Sequence, residues 1–177
     1  MIECKEITMS DLATAPKPVR STLEHRERLA ALAQETEPTV FALRAQLPIQ
    51  GRTDIPLAAT EQFTVVLKTY ASGGENTLHA HPNEDHSFIV MQGTARFHGK
   101  DGVIDTLDKN QGILIPAEVL YWFEAVSEEQ LVMLRVGTRL SGAADGQARV
   151  NSGGTDIDPF TTENKQVDLV LSDSYFE

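Results

Sequence analysis

Hydrophobic and polar positions divide the chain into three stretches. Between Ser21 and Pro38, Leu29, Leu32 and Ala33 fall on one face among good helix formers running from Arg26 to Gln34. Ser21 followed by Glu24 has capping-box spacing, and Pro38 closes the pattern. One helix is expected, in an N-terminal extension over residues 1–38. From Thr39 to Leu140 the pattern shortens into strands. Those predicted are Val40–Arg44, Phe63–Tyr70, Thr77–His81, Ser87–Met91, Thr94–His98, Gly112–Ile115, Tyr121–Ala125 and Leu131–Thr138. Gly73-Gly74, Pro82-Asn83, the Gly99–Gly102 stretch and Asn110–Gly112 punctuate them as turns. Short strands at this spacing predict an all-β sandwich or barrel over residues 39–140.

Two of these strands, Phe88-Ile89-Val90-Met91 and Leu131-Val132-Met133-Leu134, are apolar at consecutive positions, so both of their faces need cover. One face fills the interior. The other must meet the N-terminal segment, a second sheet or another subunit, and a homodimer is expected on that ground. Residues 141–177 form an acidic tail rich in Gly, Ser, Asp and Asn, with linker-like composition up to about Asp158. The alternation of Val167, Leu169 and Leu171 then predicts a late edge strand.

Composition narrows the function. A length of 177 residues fits one domain, and 41% apolar with 23% charged residues is ordinary globular composition. With 15 Lys and Arg against 26 Asp and Glu, the net charge is −11. Such a surface repels phosphate backbones and anionic lipid, so neither nucleic acid nor a membrane is the expected partner. The single cysteine, Cys4, allows no intrachain disulfide and has no His or Arg beside it to activate it. No apolar run approaches the ~18 residues of a membrane span. The stretch Met1–Leu12 is acidic where a signal peptide needs a basic start. A cytoplasmic protein is the expectation.

The candidate chemistry is in the histidines. Of five, His79, His81 and His86 fall within eight residues. Residues i and i+2 of a strand share a face, so His79 and His81 present two imidazoles to one point. Pro82-Asn83 turns the chain so that His86 returns on the neighbouring strand. Three converging imidazoles suit one divalent metal ion, with Fe, Mn, Ni and Zn all admissible, and leave positions open for a small-molecule substrate. Glu84 and Asp85 lie beside His86, and either joins the set if the turn is tighter. Each residue also has a plainer reading. His79 and His81 can be polar residues of a metal-free protein, His86 a pocket residue outside the coordination sphere, and Tyr121 a barrel-filling aromatic with a hydrogen-bonded hydroxyl. Trp122 has the opposite parity and belongs to core or interface. His98 is expected at the surface and His25 on a solvated helix face. There is no nucleophile elbow, phosphate-cradling glycine loop or dinucleotide fingerprint.

The stretch from Gly73 through His79, His81 and His86 to Gly93 resembles the first motif of the cupin family, with His86 where the family has Glu. The stretch from Gly112 through Pro116 to Tyr121 is similar to the second motif, with a shorter run before the proline. There Glu118 stands in place of a glycine and Tyr121 in place of the last histidine. The resemblance covers roughly Thr60 to Val136. It implies a double-stranded β-helix barrel, or jelly roll, carrying an N-terminal helical extension. It also implies a metal-dependent enzyme acting on a small organic molecule inside the barrel, with a dioxygenase-like oxidoreductase as first choice. The alternatives are a non-catalytic ligand-binding cupin and a metal-dependent isomerase or lyase. On this reading His79, His81 and His86 hold the metal. Neutral His86 in place of Glu leaves the ion's charge for an anionic ligand. Tyr121, at the place of the family's fourth ligand, points inward and acts as a catalytic phenol.

Overall fold

The computed structural model describes residues 14–71, 74–143 and 145–177; Cys4 and Gly73 lie outside them. The chain enters through helix α1 (Thr22–Leu32). The Ser21 hydroxyl accepts the Glu24 N–H at 3.1 Å, and the Glu24 carboxylate accepts the Arg20 N–H at 2.7 Å, so donors at the helix start are satisfied from both directions. The buried face of α1 is His25 with Leu29, one turn apart. This corrects the expectation of a solvated His25, which is only 7% exposed. The cause is the docking of α1 against strand β2 (Arg52–Ala59), pinned by the Val19 N–H donating to the Asp54 carbonyl at 2.9 Å.

The body is antiparallel throughout. A five-stranded sheet has the order β2, β3 (Phe63–Tyr70), β10 (Leu131–Arg139), β5 (Glu84–Gln92), β8 (Gly112–Ile115). A three-stranded sheet has the order β7 (Gly102–Leu107), β6 (Ala95–Gly99), β9 (Trp122–Ala125). Two short pairs complete it: β1 (Ala45–Gln50) with β12 (Val170–Phe176), and β4 (His79–Ala80) with β11 (Val150–Asn151). The two larger sheets face each other over one core containing Phe88, Val90, Phe97, Phe123, Leu131 and Met133, the arrangement of a jelly roll.

A second core lies on the other face of the five-stranded sheet. Ala45 and Leu47 of β1 pack there on Ile55, Val65, Leu67 and Val132, with Phe176 of β12 against them. Strand β10 thus sends Leu131 and Met133 to the first core, and Val132 and Leu134 to the second. For β10 that cover comes from this chain's own β1 and β12, whereas Ile89 on the outer face of β5 stays exposed.

Three strand expectations change. Val40–Arg44 is not a strand; pairing begins at Ala45. Strands β1 and β2 form despite Pro48 and Pro56, because each proline sits at a register irregularity, and β2 is the last strand of its sheet, where a missing donor costs least. Strand β7 follows directly on the Gly99–Gly102 turn and exposes all but its last residue, so it carries no alternation to read.

Candidate metal centre

Strand β5 turns Glu84, His86, Phe88 and Val90 inward and its alternate residues outward. The inner side chains fall into two zones. Phe88, Phe97 and Phe123 form an aromatic wall with ring centroids 5.2 to 5.6 Å apart. Glu84 and His86 lie at the polar end. Facing them, His79 and Tyr121 are locked by a two-way backbone bridge: the His79 N–H donates to the Tyr121 carbonyl at 3.0 Å, and the Tyr121 N–H donates back at 2.9 Å. The rings converge as a result. Centroid separations are 5.2 Å for His79 and His81, 4.1 Å for His81 and His86, and 4.5 Å for His79 and Tyr121.

Hydrogen bonds set which nitrogen of each ring is free. His79 Nδ1 lies 2.7 Å from the Thr77 carbonyl, and His81 Nδ1 lies 3.1 Å from the Ala148 carbonyl. A carbonyl only accepts, so both rings carry their proton on Nδ1 and leave the Nε2 lone pair available as a ligand. His86 uses both nitrogens: Nε2 is 2.7 Å from a Glu84 carboxylate oxygen, and Nδ1 is 3.1 Å from the Tyr121 hydroxyl. Burial drives all three imidazoles well below their ordinary range, helped by Arg149 beside His79, His86 beside His81, and Arg135 beside His86. They are neutral at neutral pH, which is the form a metal ion needs. Burial pushes Glu84 up against the opposing pull of Arg135 and Thr64. It also raises Tyr121, which stays a neutral phenol.

His81, Glu84 and His86 each offer one ligand atom, and these lie within 4.8 Å of one another. Two imidazoles and a carboxylate fit a divalent transition-metal ion. Gly137 of β10, opposite His86, makes the room: a Cβ there would run into the Glu84 carboxylate and come within 2.7 Å of the Thr64 hydroxyl. Of the residues singled out in the sequence, His81 and His86 enter this group. His79 is buried beside it but outside the 4.8 Å set. Tyr121 faces inward and bonds His86. Asp85 points the other way, and its carboxylate accepts the Ala117 N–H at 2.8 Å. Glu84 is the donor the sequence reading held only in reserve. The signal for it was the Glu84-x-His86 spacing on one strand. Glu118, at the glycine position of the second motif, has a positive φ of 67°.

His98 stacks on Trp122 at 4.0 Å and bonds Glu124 at 3.0 Å, so it is half-buried rather than free. Sequence reasoning missed Arg135, Lys68, Asp54 and Arg149 as lining groups of the cavity beside the histidines. Arg135 was findable, since it shares inward parity with Leu131 and Met133 in an otherwise apolar strand.

A family model described as a cupin domain matches residues 66–137. No curated protein matches the chain. Among solved structures, the chain is similar to an uncharacterised conserved protein with a double-stranded β-helix domain from Klebsiella pneumoniae. The TM-score is 0.54 at 18% identity, covering 62% of this chain and 91% of that one. It is also similar to the Cnp3 cupin domain of Schizosaccharomyces pombe, with a TM-score of 0.47 at 15% identity. That match covers 50% of this chain and 64% of the other, so this chain spans less than two thirds of that relative. A cupin-2 domain containing protein from Shewanella frigidimarina gives a TM-score of 0.43 at 26% identity, over 49% of this chain and 80% of the other.

Proposed function

This chain belongs to the cupin superfamily, and from that premise we propose that it is a metal-dependent enzyme acting on a small organic molecule beside His81, Glu84 and His86. The observation that carries the reading is the convergence of those three donors, with His81 also lining a cavity beside His79 and Tyr121. A divalent ion held there would supply Lewis acidity, and redox chemistry as well if it is iron. Two histidines and one carboxylate are the donor set of non-haem iron oxygenases, which favours a dioxygenase over an isomerase or lyase. His79, with its Nε2 free, is placed to be a fourth donor or to hold the substrate.

The residues around the donors handle the proton. The Tyr121 hydroxyl, His86 and Glu84 form one chain of hydrogen bonds. With an ion on Nε2 in place of the bond to Glu84, the His86 Nδ1–H would donate to the Tyr121 oxygen. That would leave the Tyr121 hydroxyl hydrogen free to bond a substrate oxygen, which is the role of a general acid.

The test is to load metal-free protein with Fe(II) under argon and add nitric oxide, a surrogate for dioxygen. An iron centre with an open position should give an S = 3/2 electron paramagnetic resonance signal at about one spin per chain. Tyr121→Phe should keep that signal, because Tyr121 is not a ligand on this reading. Iron that binds but gives no signal would contradict the dioxygenase assignment.

A further inference from the structure

The cavity beside the histidines is positively charged in a protein of net charge −11. Four cationic side chains line it, Arg26, Lys68, Arg135 and Arg149, against one carboxylate, Asp54. Lys68 and Asp54 form an ion pair, and Arg26 reaches Asp145 at 2.8 Å, so these cancel. Arg135 is half-compensated: it stands 3.9 Å from Glu84 and donates to the Thr64 hydroxyl at 3.3 Å. Arg149 meets no carboxylate among the described residues; it donates to the Asn164 side-chain oxygen at 2.8 Å. Among the described residues, its neighbour Arg52 donates to the backbone carbonyls of Gly74, Glu75, Pro159 and Asn164. Within this cavity Arg135 Nε, Arg149 Nε and His25 Nδ1 are buried with no hydrogen-bond partner among the described residues. Arg135 and His25 are more than nine-tenths buried. Buried donors on a charged guanidinium, as on Arg135 and Arg149, are rarely left unmatched, since each costs its full desolvation.

Size limits what can match them. The cavity volume is about 70 Å³, which admits only a small molecule. Phe88 and Phe123 give it part of an apolar wall. We propose that the ligand of this cavity is a small organic carboxylate, whose charge is met by Arg149 and Arg135. A guanidinium presents paired donors that suit a carboxylate. Arg149 lies outside residues 66–137 and Arg135 inside them, so the tail and the matched segment meet the charge together. The proposal rests on the proposed function for the place of the site, and not on the metal, since the arginines act without it.

The test is calorimetric titration of metal-free protein at neutral pH with two probes of equal size, lactate and its neutral amide, lactamide. Lactate should bind at least about tenfold tighter than lactamide, the scale of one hydrogen bond to a charged group. Arg149→Gln should remove most of that preference, and Arg149→Lys should keep part of it. The wild-type comparison stands even if a variant folds poorly, and a thermal melt identifies that case. Equal affinity for the two probes, no binding of either at millimolar concentration, or unchanged lactate affinity in a folded Arg149→Gln protein would overturn the proposal. Loss of metal binding with lactate preference retained would sink the enzyme reading and leave this one standing.

Discussion

Glu84 reaches the interior only because residue 137 has no side chain. Gly137→Ala would force its Cβ against the Glu84 carboxylate and the Thr64 hydroxyl. The expected cost is about 1–3 kcal/mol of stability, read by urea unfolding, together with weaker metal retention. Wild-type stability would show that Glu84 can sit elsewhere. His25 sets a second expectation. Burial holds it down to about 4, against the opposing pull of Asp54 and with further lowering from Arg135 and Lys68. Between its ordinary value of 6.5 and about 4, the unfolded chain takes up a proton that the folded chain refuses. Stability is therefore fully present above pH 6.5 and falls as the pH drops through that window, by on the order of 3 kcal/mol for this group. The three clustered histidines are shifted in the same direction and add to the loss. His25→Gln should thus flatten part of the fall in melting temperature between pH 7 and 4.5. An unchanged profile would mean that His25 is solvated when the protein is free in solution.

At the scale of elements, the layer formed by β1 and β12 explains why β10 is apolar on both faces. Leu47 is fixed in the second core, so Leu47→Ala should cost about 2–5 kcal/mol by denaturant unfolding. Leu114 of β8 is 66% exposed, so Leu114→Ala should change stability by less than about 0.5 kcal/mol. If the two cost the same, a second copy of the chain covers Leu114, as a homodimer would require. The double apolarity of β10 was legible in the residues, because burial writes directly into that pattern; β5 reads the same way in sequence, yet it alternates in the structure, with Ile89 exposed. The capping of α1 by Ser21 was legible too. Strands β1 and β2 were not: Pro48 and Pro56 are turn signals, tolerated here only by irregular register at a sheet edge. His25 was misread because a helix with charged neighbours looks solvated until its partner, β2, is known. At the site, the histidine cluster was plain from spacing. Arg149 was hidden because its partners lie far away in sequence, and nothing local marks a tail arginine as a lining group.

For the whole molecule, an acidic exterior encloses a site whose lining is cationic, with neutral histidines at its centre. No helix among the described residues is long and apolar enough to cross a membrane. The two sheets supply the fixed frame. The helix and tail close the site over it with His25, Arg149 and Phe160. The central claim is that this frame exists to hold one metal ion at His81, Glu84 and His86. The most direct measurement is the metal stoichiometry of untagged protein, chelated, reloaded and desalted, for the wild type beside His81→Ala and His86→Ala. The account predicts close to one divalent ion per wild-type chain, and less than about a tenth of that in either variant with its fold intact by circular dichroism. A wild type that keeps no metal, or variants that keep as much as it does, would contradict it.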